Sequence, residues 1–164
     1  MNFLEIINLV KYIPYGRNSN RDDFSLVILE NKGTCSSKHA YLKDFADKNN
    51  IQDVQLFIGI YKMNEQNTNI GNIFSDHKIL FIPEAHCYLK INGQVVDATS
   101  PNSNFENIKN DMLLEIEIQP EQVTEFKIKF HQNFIKNWLE ETNSKFTLDQ
   151  IWKIRENCIQ NLSI

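Results

Sequence analysis

His86-Cys87-Tyr88-Leu89-Lys90-Ile91-Asn92-Gly93-Gln94-Val95-Val96-Asp97-Ala98-Thr99 reads as two strands around a two-residue turn. Asn-Gly accepts the positive φ at both central positions of a type I′ turn, whose twist matches that of the flanking strands. A two-residue loop sets the register: Ile91 faces Gln94, Lys90 faces Val95, Leu89 faces Val96 and Tyr88 faces Asp97. Side chains alternate between the two faces. One face carries Cys87, Leu89, Ile91, Val96 and Ala98 and is the expected core side. The other carries His86, Tyr88, Lys90, Val95, Asp97 and Thr99. On it His86 and Asp97 are diagonal neighbours, about 7–8 Å apart at the backbone, a gap that an imidazole and a carboxylate close with one hydrogen bond.

Working back from the hairpin, Asn31-Lys32-Gly33-Thr34-Cys35 is a turn leading into a helix. Ala40, Tyr41, Leu42, Phe45 and Ala46 give that helix an apolar face, and Asn49-Asn50 ends it. A thiol at the helix start sees the positive end of the macrodipole and unpaired N–H groups, and both favour the thiolate. The thiolate is the nucleophilic form, which suits covalent catalysis. Cys35 as nucleophile, His86 as base and Asp97 as the group that orients the imidazole make up a Cys-His-Asp triad. The backbone N–H of Cys35 is the natural first oxyanion donor. Tyr15, Asn18 and Asn31, near loops that precede the nucleophile, and Tyr88, on the His86 face, are the candidate further substrate or oxyanion contacts.

The remaining segments frame this constellation. Phe3, Ile6, Ile7 and Val10 have helical spacing, and Pro14 and Gly16 stop that helix before a polar loop, Tyr15 to Asp23. Phe24 to Leu29 is apolar, either a short strand or the first turn of a helix. Val54 to Tyr61 reads as a strand buried in part on both faces. Asn64 to Phe74 is a polar loop with a short helix near Ile70 to Phe74. Leu80 to Pro83 opens the second strand region, and Leu113 to Gln119 alternates as a strand. Phe126, Phe130, Phe134 and Trp138 fall four apart, predicting a helix over about 125–141 with those rings inward. A last helix runs over 148–162, with Thr147 or Asp149 near its start, and this C-terminal region reads as a packing layer without chemistry. Cys87 and Cys158 read as core residues.

The chain has 164 residues, enough for one domain. The expected layout is an N-terminal helix and loop over 1–23, a core over 24–101, and a C-terminal strand and helices over 102–164. Net charge is −4, from 17 basic and 21 acidic side chains. That balance argues against a general nucleic-acid surface, which draws its affinity from Lys and Arg, although the Arg17/Arg21 loop could orient an acidic ligand. Glu5 stands where a signal peptide carries positive charge, and no apolar run has the length of a bilayer span. No membrane partner and a cytoplasmic location are therefore expected. Three cysteines cannot all pair within one chain, and a reducing compartment leaves thiols free.

Gly33-Thr34-Cys35-Ser36-Ser37-Lys38-His39-Ala40, followed by Leu42 and Phe45, resembles the nucleophile helix of the transglutaminase-like superfamily. Ile51 and Val54 to Gly59 resemble its following strand. The hairpin resembles its His-x-aromatic strand, turn and Asp strand, and the 51-residue interval from Cys35 to His86 fits. The resemblance spans roughly 24–101. Val95-Val96 replaces the aromatic often found before the Asp, and Ala98 replaces the proline that commonly follows it. The resemblance implies an α+β, papain-like core, with the nucleophile helix packed on an antiparallel sheet and additional C-terminal helices. It implies a thiol enzyme that needs no cofactor and takes a protein, peptide or small amide substrate. The same residues admit two other readings. Cys35, His39, His86 and Cys87 are zinc-ligand types, but adjacent strand residues point apart and there is no Cys-x-x-Cys, so no metal site is expected. The same fold with an idle triad would serve as a peptide- or partner-binding module.

Overall fold

The structure, a computed structural model, describes residues 1–162. It is α+β. Its sheet is antiparallel and four-stranded, built from β1 (Val54–Met63), β2 (Ile82–Ile91), β3 (Gln94–Val96) and β4 (Met112–Ile118) in the order β3-β2-β1-β4. Hairpin register is as the turn dictates, with Ile91 opposite Gln94 and Leu89 opposite Val96. The ladder stops there, one residue short of Asp97. His86 and Cys87 thus lie on a stretch of β2 paired only on its inner side, where Gly59 and Ile58 of β1 face them. Gly59 is there for space: a Cβ would stand 2.8 Å from Met112 Sδ and 2.9 Å from the Tyr88 ring.

Helix α1 (Phe3–Tyr12) starts at a capping box between Asn2 and Glu5 and buries Ile6, Ile7 and Val10. Phe24 and Ser25 form a turn that leads into the short helix α2 (Leu26–Leu29). Helix α3 (Cys35–Lys48) lies on the sheet, where Leu42 and Ala46 join Leu56, Ile58, Cys87, Leu89 and Ala98 in one apolar cluster. The short helices α4 (Ile73–His77) and α5 (Glu106–Lys109) flank β2 and β4 in the chain. A 3-10 turn, Pro120–Val123, leads into α6 (Glu125–Glu141), which α7 (Leu148–Leu162) follows. Thr147 and Gln150 exchange side-chain and backbone hydrogen bonds at the start of α7. A second apolar cluster joins Tyr61, Met63 and Ile82 of the sheet to Ile135 and Leu139 of α6 and Ile151, Ile154 and Cys158 of α7.

The expected inner row of α6 is corrected. The row Phe126-Phe130-Phe134-Trp138 is not the inner row of α6: Phe126 is 41% exposed, and the buried row is Lys127, His131, Ile135 and Leu139. Its C-terminal half packs on apolar side chains, but its N-terminal half sits over polar groups, so a lysine and a histidine point inward. Phe130, Phe134 and Trp138 pack at its flanks. The His86 face of the hairpin is covered as well as the apolar one. Tyr88 is fully buried, its ring tilted against Phe105 at 4.9 Å and stacked on Phe57 at 6.1 Å.

Candidate active site

The Thr34 side chain accepts from the Ser37 N–H, and Ser37 Oγ accepts from the Thr34 N–H at 2.9 Å, so this capping box fixes Cys35 as the first residue of α3. Gly33 is tied to the loop before it: its N–H donates to Pro14 O and its carbonyl accepts from the Gly16 N–H, both at 3.1 Å. That pairing brings Tyr15 to the nucleophile helix, although Tyr15 and Gly33 are eighteen positions apart. Cys35, Tyr15, His86, Asp97 and Lys127 all line one cavity of about 610 Å³.

His86 Nε2 donates to Asp97 Oδ2 at 2.7 Å, which leaves Nδ1 as the nitrogen that can serve the Cys35 sulfur; the two side chains line the same cavity and each favours the charged form of the other. Asp97 Oδ1 accepts from the Thr99 N–H at 3.0 Å and the Thr99 hydroxyl at 2.6 Å. Behind it stands His39, fully buried, whose Nε2 accepts from the Ala98 N–H at 2.8 Å. The proton of His39 is therefore on Nδ1, which donates to Cys35 O at 2.7 Å. Burial holds this imidazole below its ordinary pKa, in the neutral form that both bonds require. Lys38 Nζ donates to Thr99 O at 2.6 Å and to Ile13 O, pinning the end of the Asp97 turn to α3 and α1.

Charge follows from this geometry. Burial disfavours a charged His86, but the Asp97 carboxylate and the Cys35 sulfur outweigh it and raise the imidazole to about 10. Burial likewise opposes a charged Asp97, yet the His86 cation, His39 and Thr99 hold its carboxyl well below the usual range. The neighbouring Cys87 thiol, then Lys127 and His86, bring Cys35 well below a free thiol against the cost of burial. The Cys35 sulfur beside it and burial push the Cys87 thiol up. Burial and the neighbouring Cys35 charge raise the Tyr15 phenol, which keeps its proton and stays a donor.

Of the four further candidates, Tyr15 alone lines the cavity. The amide nitrogen of Asn18 is committed to Leu26 O, Lys32 O and Glu30 Oε2, bracing the loop before the nucleophile. Asn31 is an exposed turn residue at φ 48°, a left-handed conformation that asparagine tolerates. The Tyr88 hydroxyl donates to Glu115 on β4, so its ring backs His86 and its oxygen points to another partner.

The C-terminal layer, expected to carry no chemistry, supplies two walls of the cavity. Lys127 of α6, 7% exposed, donates from Nζ to Ser36 Oγ at 2.7 Å and lies 3.8 Å from Cys35 Sγ. Arg155 of α7 clasps Glu84 of β2 through two hydrogen bonds, 2.9 and 2.8 Å, and bonds Glu156, which takes two more from Arg17. Sequence reasoning missed Lys127 because it ranked the helix rows of α6 by ring size. A signal was present: Lys127 and His131 share a four-spaced row with Ile135 and Leu139, and polar residues that continue an apolar row mark a helix face turned onto buried polar groups.

No protein-family model matches the chain, and neither the curated proteins nor the solved structures hold one significantly similar to it.

Proposed function

We propose that this protein is a transglutaminase-like, papain-like thiol enzyme that cleaves an amide or ester, or transfers its acyl group, through a thioester on Cys35. The observation that carries the reading is the set gathered in one cavity: a sulfur at the first position of a capped helix, an imidazole that shares the cavity and favours its thiolate, and a buried carboxylate bonded to one nitrogen of that imidazole. The chain order Cys, His, Asp on a helix and an antiparallel sheet supports the same reading.

The thiolate attacks the carbonyl carbon, an S–C bond forms, and the π pair moves to the oxygen. As the C–N bond breaks, the His86 imidazolium gives its proton to the departing amine. Water or an amine then attacks the thioester, His86 takes a proton from it, and the thiolate leaves. Asp97 holds the imidazole in the tautomer this requires and stabilises its cation. The test is a panel of electrophilic acyl probes with mass spectrometry of the labelled residue: an acyl group on Cys35 that turns over supports the reading. A Cys35 that takes up none leaves the fold as a peptide- or partner-binding module.

The thiols also separate by rate. Iodoacetamide is expected to alkylate Cys35 fastest, with its pH midpoint well below the free-thiol value of about 8.5. Cys87 is buried with a raised pKa, and burial pushes Cys158 up to about 12, so both should react slowly at neutral pH. Equal rates for the three, followed by mass spectrometry, would sink the triad.

A further inference from the structure

Taking the acyl-transfer reading as its basis, we propose that Lys127 is a catalytic residue: its ammonium, with the backbone N–H groups of Cys35 and Ser36, receives the negative oxygen of the tetrahedral intermediate. A ring of donors is already in place. The capping box uses the Ser37 N–H, and the Lys38 N–H donates to Thr34 O, while the Cys35 and Ser36 N–H groups have no acceptor among the described residues. These two amides are the unpaired first-turn donors that helix geometry leaves over, and they adjoin the reacting sulfur.

Lys127 completes the ring from the other side. An oxygen on the carbon bonded to Sγ lies about 2.7 Å from the sulfur, and a useful donor stands about 2.7–3.1 Å from that oxygen. An ammonium 3.8 Å from Cys35 Sγ and anchored at 2.7 Å to Ser36 Oγ is within reach of that position.

Charge compensation leads to the same assignment. Lys127 is buried and forms no salt bridge among the described residues. A buried ammonium without a counter-charge is costly. In the resting protein the Cys35 thiolate offsets it. Once the S–C bond forms the sulfur is neutral, and an oxyanion restores the balance within the same few ångströms. Lys127 keeps all its protons throughout: the electron pair shifts from sulfur to oxygen and back, and His86 alone carries protons. Tyr15 lines the same cavity, but its phenol is uncharged and offers a weaker donor than an ammonium.

The test sets two reactions of one thiol against each other. An aryl ester such as p-nitrophenyl acetate builds an oxyanion on reaching Cys35, whereas iodoacetamide alkylates the same sulfur by displacement at a saturated carbon and builds none. Both are followed from pH 5 to 10 in the wild type, Lys127→Met and Lys127→Gln, with rates compared on the plateau where the thiol is fully ionised. Thermal melts check folding, and the polar Gln variant carries the test if Met disturbs packing. The expected result is a fall of about 10²–10³ in the acylation plateau of Lys127→Met, the usual cost of one oxyanion donor, with the alkylation plateau kept. Equal losses in both reactions, or a shifted pH midpoint with both plateaus unchanged, would show that Lys127 only tunes the thiol and overturn the donor role. A wild type that alkylates but takes up no acyl group overturns the acyl-transfer reading and the donor with it.

Discussion

Asp97→Asn is expected to lower acyl turnover by about 10⁴, the loss that follows when a triad imidazole is left in the wrong tautomer. Asp97 accepts from His86 at 2.7 Å and from both Thr99 donors, and its side chain is 8% exposed. In the variant an amide oxygen can still serve Thr99. The amide NH₂ then faces His86 Nε2 and turns an acceptor requirement on that nitrogen, so the proton moves to Nδ1, the atom that must receive the thiol proton. The Asp97 charge that raises His86 to about 10 is also gone, so the imidazolium no longer holds the thiolate and the pH midpoint of Cys35 alkylation moves up. Superimposable alkylation profiles in wild type and Asp97→Asn would show that Cys35 and the pair are uncoupled. Stability should record the same link. The depressed Asp97 contributes stability present above about pH 3.9, its ordinary pKa, and lost as pH falls further. The raised His86 contributes stability fully present below about pH 6.5 and lost as pH rises through about 10. Wild-type melting temperature is thus expected to hold a maximum between about pH 4 and 6.5 from this pair, and Asp97→Asn to flatten it.

Arg155→Met is expected to be the most damaging single change to the fold. Its guanidinium is the direct partner of Glu84, which is 4% exposed on β2. Removing it strands a buried carboxylate, which costs about 3–5 kcal/mol, a large part of the roughly 5–15 kcal/mol that keeps a domain folded. For a chain of this size the melting temperature should fall by about 6–20 °C. The pair also joins α7 to the sheet, so the loss should loosen the cavity wall that α7 provides. The double variant Glu84→Leu/Arg155→Met removes both charges, and replacing a whole buried pair with apolar groups is often neutral or stabilising. Recovery of most of the lost melting temperature in the double variant, measured by calorimetry, confirms the stranded charge as the cause. A double variant as unstable as the single one would refute it.

What could be read from the chain is what short stretches settle through local stereochemistry. Asn92-Gly93 fixes a hairpin register because a two-residue turn admits one twist, and that register placed His86 within one hydrogen bond of Asp97 before any fold was known. Gly33 and Thr34 mark a helix start because the first turn has N–H groups to cap, and Cys35 follows them directly. Each of these arguments spans fewer than about fifteen residues, the range over which backbone geometry alone carries the conclusion. The rest was decided by packing. Which row of α6 turns inward depends on what lies beneath it, and beneath its first turns lie Ser36 and Cys35, about ninety residues earlier in the chain. The ring-rich row covers more apolar area, yet the fold turns Lys127 and His131 inward because the groups under them are polar and need partners. Tyr15 reaches the site only because Gly33 hydrogen-bonds the loop that carries it; Asn18 misses it because its amide braces that loop, and Asn31 because its turn leaves it exposed. Glu84 and Arg155, seventy-one residues apart, meet only when α7 closes on β2. Local rules determine where a side chain can point, and the assembled core decides which of the remaining charges face the sulfur.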